Sequence, residues 1–404
     1  MSSTTDFPPK EGFRLEQLIY DTRYRSATIQ VVAFILICAT IFFLTRNLLA
    51  NLSQLGLEPN FSFMWTRAGY DISTSLIDYD NSMTHARAAL VGIVNTLVLA
   101  LVGCVTALVV GVFAGVLRLS KNWIVSKLMA VYVEGFRNVP LLLWILLVFA
   151  VMTESTPLPR DFREGGSSSM IFDSIAITNR GVYLPAPIWG DGAQFLLIVF
   201  ILSVIGAFLY RRHARKVLFD TGRMMPMLWP ALLIAFVPTL LLFIILGRPL
   251  TFEYPELGGF NFRGGMQISN PFVALWLALA LYTGAFIAEI VRAGILAVSK
   301  GQSEAAFALG MRPGRTMSLI ILPQAMRVII PPLISQFLNL TKNTSLALAV
   351  GFPDVRATLG GITLNQTGRA LECMLLLGLF YLVLSLAISF GMNVYNNSKK
   401  LAER

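Results

Sequence analysis

The chain has 404 residues, of which 55% are hydrophobic and only 13% charged, about half the roughly 25% charged fraction of a soluble domain. So few ionised side chains cannot cover a water-facing surface, so most apolar residues must face lipid; the same numbers exclude a disordered chain. The net charge of +10 comes from 32 Lys and Arg against 22 Asp and Glu. These bases sit in short groups between long apolar runs, the usage of a multi-span membrane protein and not of a nucleic-acid-binding face.

A bilayer core about 30 Å thick takes roughly 20 apolar residues as a helix. The first 27 residues are mostly polar, unlike a secretory leader, so the first apolar run, 28–45, is expected to be a retained anchor. Further spans are expected at 88–117, 128–152, 194–210, 227–246, 271–291, 318–340 and 372–395. The second has no charged residue between Ala88 and Leu117. The fourth is short and has room to extend at its N-terminal side. The seventh carries Arg327 and is expected to break at Pro331 and Pro332, an irregularity tolerated at membrane depth only inside protein or beside a cavity. The fold class expected is an all-α polytopic membrane protein with about eight spans.

Lys and Arg in short loops set orientation. Lys10, Arg14, Arg23 and Arg25 precede span one; Arg118, Lys121 and Lys127 follow span two. Arg211, Arg212, Arg215, Lys216 and Arg223 follow span four, and Arg292, Lys300, Arg312 and Arg315 follow span six. Lys399, Lys400 and Arg404 close the chain. With eight spans all five groups fall on one side, which is therefore expected to be cytoplasmic, with both termini. The sequence divides into 1–87 (N-terminal segment, anchor and outer loop), 88–152 (first part of a core), 153–270 (an insertion with two extra spans), 271–395 (second part of the core) and 396–404 (tail).

Several chemistries lack their residues. No GxxxxGK[ST] occurs, so ATP hydrolysis by this chain is not expected. The two histidines, His85 and His213, are expected in loops, which argues against a His-based metal site or a Ser–His–Asp triad. Cys38, Cys104 and Cys373 lie in or beside apolar runs with no CxxC, so neither disulfide nor zinc is expected. No cofactor and no metal is expected. Gly111 and Gly115 form a GxxxG that lets another helix approach closely.

The informative stretch joins spans six and seven: Glu304-Ala305-Ala306, three residues, Gly310, nine residues, then Ile320-Ile321-Leu322-Pro323. It reads as a short helix with Ser303 as N-cap, Glu304 in the first turn near the positive dipole end, a surface left bare by Ala305, Ala306 and Ala308, a stop at Gly310, and Pro313 preventing continuation. Such a helix suits docking of a soluble partner; a solvated inter-helix loop is the plain alternative.

The pattern EAA–x3–G–x9–I–x–L–P resembles, at every fixed position, the EAA loop of ABC importer permeases. In that family the loop is a coupling helix seated in a groove of a cytoplasmic ATPase. The resemblance implies that Glu304, Ala305, Ala306 and Gly310 contact the ATPase, with 299–323 as the coupling loop. Glu289-Ile290-Val291-Arg292-Ala293-Gly294, Lys300-Gly301-Gln302, Leu322–Arg327, Lys342–Leu346 and Glu134–Leu142 look like the polar amino-acid permeases. That likeness covers 88–152 and 271–395. Span one and the insertion depart from the short five-span form, and this long layout is most similar to the Q-type permease subunit of the general L-amino-acid ABC importer.

Glu134 with Arg137, and Glu289 with Arg292, share a helix face at i,i+3 and read first as structural ion pairs. Arg327 either pairs with an acid, reaches the headgroups, or serves transport. Lys342 could snorkel, yet Lys342, Asn343, Thr344 and Ser345 line up donors and acceptors that a free amino acid leaving water would need. The resemblance places that run near the substrate pathway, and Arg137 and Asn138 are expected there too. Asn95, alone in span two, reads as helix packing or as pathway. The expected protein is an inner-membrane permease subunit of an ATP-driven importer of polar or general L-amino acids, itself not an enzyme. Its implied partners are an ATPase dimer, a second and different permease subunit, a periplasmic binding protein and the lipid bilayer. An ion-coupled secondary transporter is the alternative, but the spans hold almost no central Asp or Glu for it.

Overall fold

The computed structural model describes residues 17–399 apart from 55, 57, 58, 164, 223 and 224. Of the basic groups read from sequence, Lys10, Arg14, Arg223, Lys400 and Arg404 lie outside the described residues. The chain divides into two units, Met1–Met64 and Trp65–Arg404. The first holds α1 (Gln17–Tyr20) and α2 (Thr22–Gln54). At 1.5 Å per residue α2 is about 50 Å long, well beyond the 28–45 expected. Its apolar side chains, Phe34, Ile41 and Phe43 among them, are exposed within the unit, as a lipid-facing anchor requires.

The second unit is built on α3 (His85–Leu117) and α8 (Asn270–Leu296), which pack along each other. Small residues make this possible. A Cβ on Gly111 would lie 2.5 Å from Ile287, and one on Gly115 would lie 2.6 Å from the Ala288 carbonyl. The GxxxG expected from sequence thus faces α8. Leu99, Leu275, Leu279, Ile287 and Leu340 fill the surrounding core.

The third expected span is not one helix. α4 (Trp123–Asn138) and α5 (Leu141–Ser155) meet at 108°. The cause is local: Pro140 excludes the helical region for the residue before it, and Val139 is extended at φ −110°, ψ 135°. Among the described residues, seven helices are long and apolar enough to cross a bilayer, and the bent pair makes up to eight.

α6 (Ala193–Thr221) and α7 (Leu228–Ile245) pack chiefly on each other. α6 extends at its C-terminal side, not its N-terminal side as expected, and carries Arg211, Arg212, Arg215 and Lys216 as helix. The loops flanking this pair form small sheets that the sequence did not suggest. β1 (Ala176–Thr178), β2 (Gly181–Leu184) and β7 (Met266–Ser269) make one antiparallel sheet, with Val182 opposite Ile268. β3 (Ala186–Trp189) pairs with β4 (Leu250–Glu253), and β5 (Glu256–Gly258) with β6 (Asn261–Arg263). Both ends of the insertion are thereby joined outside its helices.

After α9 (Lys300–Ala308) and α10 (Pro313–Thr316), a five-residue π turn leads into α11 (Leu322–Asn343). The break expected at Pro331 and Pro332 does not occur: both lie inside α11. Proline removes two intrahelical donors but keeps a helical φ, and membrane helices absorb such losses through neighbouring contacts. The irregularity falls at the ends, in the π turn and in a 3₁₀ stretch, Thr344–Val350. α12 (Val355–Ala357), a π turn and α13 (Leu364–Thr367) then lead to α14 (Ala370–Lys399), so the expected tail is helical through 399. Neither histidine is in a loop: His85 opens α3, buried, and His213 lies on α6, exposed.

Candidate functional site

α9 carries the EAA residues. Its N-cap position is Ser299, not Ser303, so Glu304 sits five residues in and gains little from the dipole, which acts over the first turn. The stop is as expected. Gly310 adopts φ +73°, its N–H donates to the Phe307 carbonyl (2.9 Å), and the Met311 N–H donates to the Ala306 carbonyl (3.0 Å). This reciprocal pair is a Schellman cap, and its left-handed position favours glycine. Ala306 is buried, and α9 packs on α10 and on the π turn that leads into α11. Glu304, Ala305 and Ala308 are exposed, with Phe307 52% and Leu309 81% exposed. The exposed face of α9 thus carries small residues, one acid and two bare apolar side chains. The Gln324 amide donates to the Gln302 side chain across a long 3.5 Å, a contact between α11 and α9.

Of the two expected i,i+3 pairs, one forms. Arg292 grips both carboxylate oxygens of Glu289, and Oε2 also takes Arg118 from the end of α3. Glu134 lies 3.7 Å from Arg118 and does not pair with Arg137. Arg118, which sequence reasoning counted only as a loop base, therefore links α3, α4 and α8. Arg137 instead stands over the Phe286 ring at 5.4 Å, a cation–π arrangement. Asn138 donates to the Glu134 carbonyl at 2.8 Å.

The Lys342–Ser345 run ends α11 and enters the 3₁₀ stretch. Lys342 is exposed, and Asn343 and Ser345 are half-buried. Thr344 is fully buried and donates its hydroxyl to the Thr341 carbonyl (2.7 Å), so helix backbone occupies that donor. The Ser345 carbonyl accepts from Arg356 (3.3 Å). No hydrogen bond joins this run to Arg137 or Asn138 among the described residues. Arg327 is exposed and has no ion pair among the described residues.

Asn95 is 1% exposed. Its Nδ2 donates to the carbonyls of Thr74 (2.8 Å) and Pro353 (2.9 Å), pinning two loops to α3, while Oδ1 has no partner among the described residues. Asp354 belongs to none of the motifs read from the sequence. It is fully buried, its Oδ1 accepts the Ala357 N–H at 2.8 Å, and burial pushes its carboxyl up to about 6. An Asp directly after Pro353 was the available sign of an N-cap.

Residues 210–400 match the family described as "Binding-protein-dependent transport system inner membrane component". The chain is 53% identical to a glutamate/glutamine/aspartate/asparagine transport system permease protein, BztB, of Rhodobacter capsulatus, over 98% of this chain and 99% of that protein. It is 42% identical to a general L-amino acid transport system permease protein, AapQ, of Rhizobium johnstonii, over 97% of this chain and 96% of that protein. A crystal structure of an amino acid ABC transporter with histidines aligns at a TM-score of 0.45 with 19% identity, over 78% of this chain and 95% of that one.

Proposed function

The chain belongs to the inner-membrane permeases of binding-protein-dependent amino-acid ABC importers, and from that premise we propose that it forms half of the pathway of an importer for polar or general L-amino acids. A second, different permease subunit supplies the other half. The observation that carries the reading is α9, a capped helix that leaves Glu304, Ala305, Phe307 and Leu309 bare and contacts α11. ATP hydrolysis belongs to a separate cytoplasmic ATPase dimer whose groove takes α9 at Glu304, Ala305, Ala306 and Gly310. When the ATPase closes, α9 moves and α11 moves with it. The Arg118–Glu289–Arg292 group holds the inner ends of α3, α4 and α8 as one body during that motion.

The basic loops and both termini lie in the cytoplasm, and the β-sheets of 153–270 face the periplasm, where a loaded binding protein docks. The core is 88–152 with 271–395, and 1–87, 153–270 and 396–404 are additions to it. Lys342, Asn343, Ser345, Arg137 and Asn138 border the pathway, and Thr344 shapes it by packing. In proteoliposomes holding both permease subunits and the ATPase, uptake of labelled amino acid should require both ATP and the binding protein. Uptake driven by an ion gradient without ATP would establish the secondary-transporter reading instead.

A further inference from the structure

A cavity of about 630 Å³ lies between α3, the strand β7 and the loop before α3, within the roughly 300–1,000 Å³ range of small-molecule sites. One wall is Ser73–Leu76, another is Arg180 with Met266–Ser269, and Asn95, Val98, Pro271, Phe272 and Phe352 complete the lining. The walls meet where Thr74 reaches Ser269 at 3.4 Å. No acidic side chain lines this space. Arg180 brings a positive charge with no carboxylate within ion-pair distance among the described residues; its guanidinium makes one long bond, 3.4 Å, to the Phe260 carbonyl. Asn95 contributes the opposite chemistry, because both its amide donations go to backbone and its buried Oδ1 is an acceptor with no partner among the described residues. An unpartnered buried acceptor costs free energy that a ligand N–H recovers.

We propose that this cavity is an entry site for the free amino acid, with Arg180 meeting the carboxylate and Asn95 Oδ1 receiving the ammonium. The inference rests on the importer reading and adds a place where substrate pauses before the pathway. Asn95 comes from the core, Ser73–Leu76 from the segment before it, and Arg180 with Met266–Ser269 from the insertion, so both walls of the site are added to the core.

The test uses the full importer in proteoliposomes, a diazirine-bearing analogue of L-leucine as the photoreactive probe, and peptide mapping of the label. Wild type should be labelled within 73–76 or 266–272. Excess L-glutamine should suppress the label, and an amine of the same shape lacking the carboxylate should not. Arg180→Gln should cut the label about tenfold, the effect of losing one charge-assisted contact, and Arg180→Lys should retain most of it. ATP-driven uptake at saturating substrate is measured on the same vesicles. If wild type transports but no label enters these segments, or Arg180→Gln labels like wild type, the entry site is overturned while the importer stands. If wild type shows no ATP-driven uptake, both readings fall.

Discussion

Single residues decide where this chain can move and where it cannot. Gly310 holds a left-handed backbone that any other side chain strains by about 1 kcal/mol. Gly310→Ala should fray the end of α9 and weaken ATPase capture several-fold while lowering the unfolding temperature of the isolated permease by only about 2 °C. Asp354 gives a pH signature. Its carboxyl is raised from 3.8 to about 6 by burial, so its stabilising contribution is complete below about 3.8 and is lost as pH rises through about 6. Asp354→Asn keeps an acceptor for the Ala357 N–H. Its unfolding temperature in detergent should therefore fall less than that of wild type between about pH 4 and about pH 7. The EAA residues were legible because their types and spacing are specific. The N-cap was misplaced by four residues because Ser299 and Ser303 both precede a helix-forming run, and only backbone geometry separates them. Thr344 looked like an open donor because sequence cannot show that its hydroxyl turns back to Thr341.

Elements follow from the same local rules. The bend between α4 and α5 stems from Pro140 acting on Val139. Pro140→Ala should lengthen the distance between spin labels at positions 126 and 153, measured by pulsed electron resonance; an unchanged distance would mean that packing on α8 sets the bend. Gly115 sits against the Ala288 carbonyl, so Gly115→Leu should force α3 from α8 and destabilise the permease by about 1–3 kcal/mol, seen as earlier thermal aggregation. Hydropathy found the spans but underestimated α2 and α6, since both continue into charged ends that a hydropathy window discounts. The strands escaped notice for a different reason. Each has three or four residues, too few for a period, and the key pairing joins Gly181–Leu184 to Met266–Ser269 across two membrane helices.

At the scale of the whole molecule, the proposed topology puts the basic loops in the cytoplasm and the strands β1 to β7 in the periplasm. A single cysteine at position 172, in a chain otherwise free of cysteine, should react with a membrane-impermeant maleimide on intact cells. One at position 303 should react only after the inner membrane is opened. Coupling of this chain to an ATPase through α9 is read by capture of that ATPase. Purified with its candidate ATPase, wild type should retain the ATPase through size-exclusion chromatography. Glu304→Lys and Gly310→Asp should each lose it while eluting as folded permease. Equal capture by wild type and both variants would rule out coupling through α9, as would failure of wild type to capture the ATPase where a known permease captures its own.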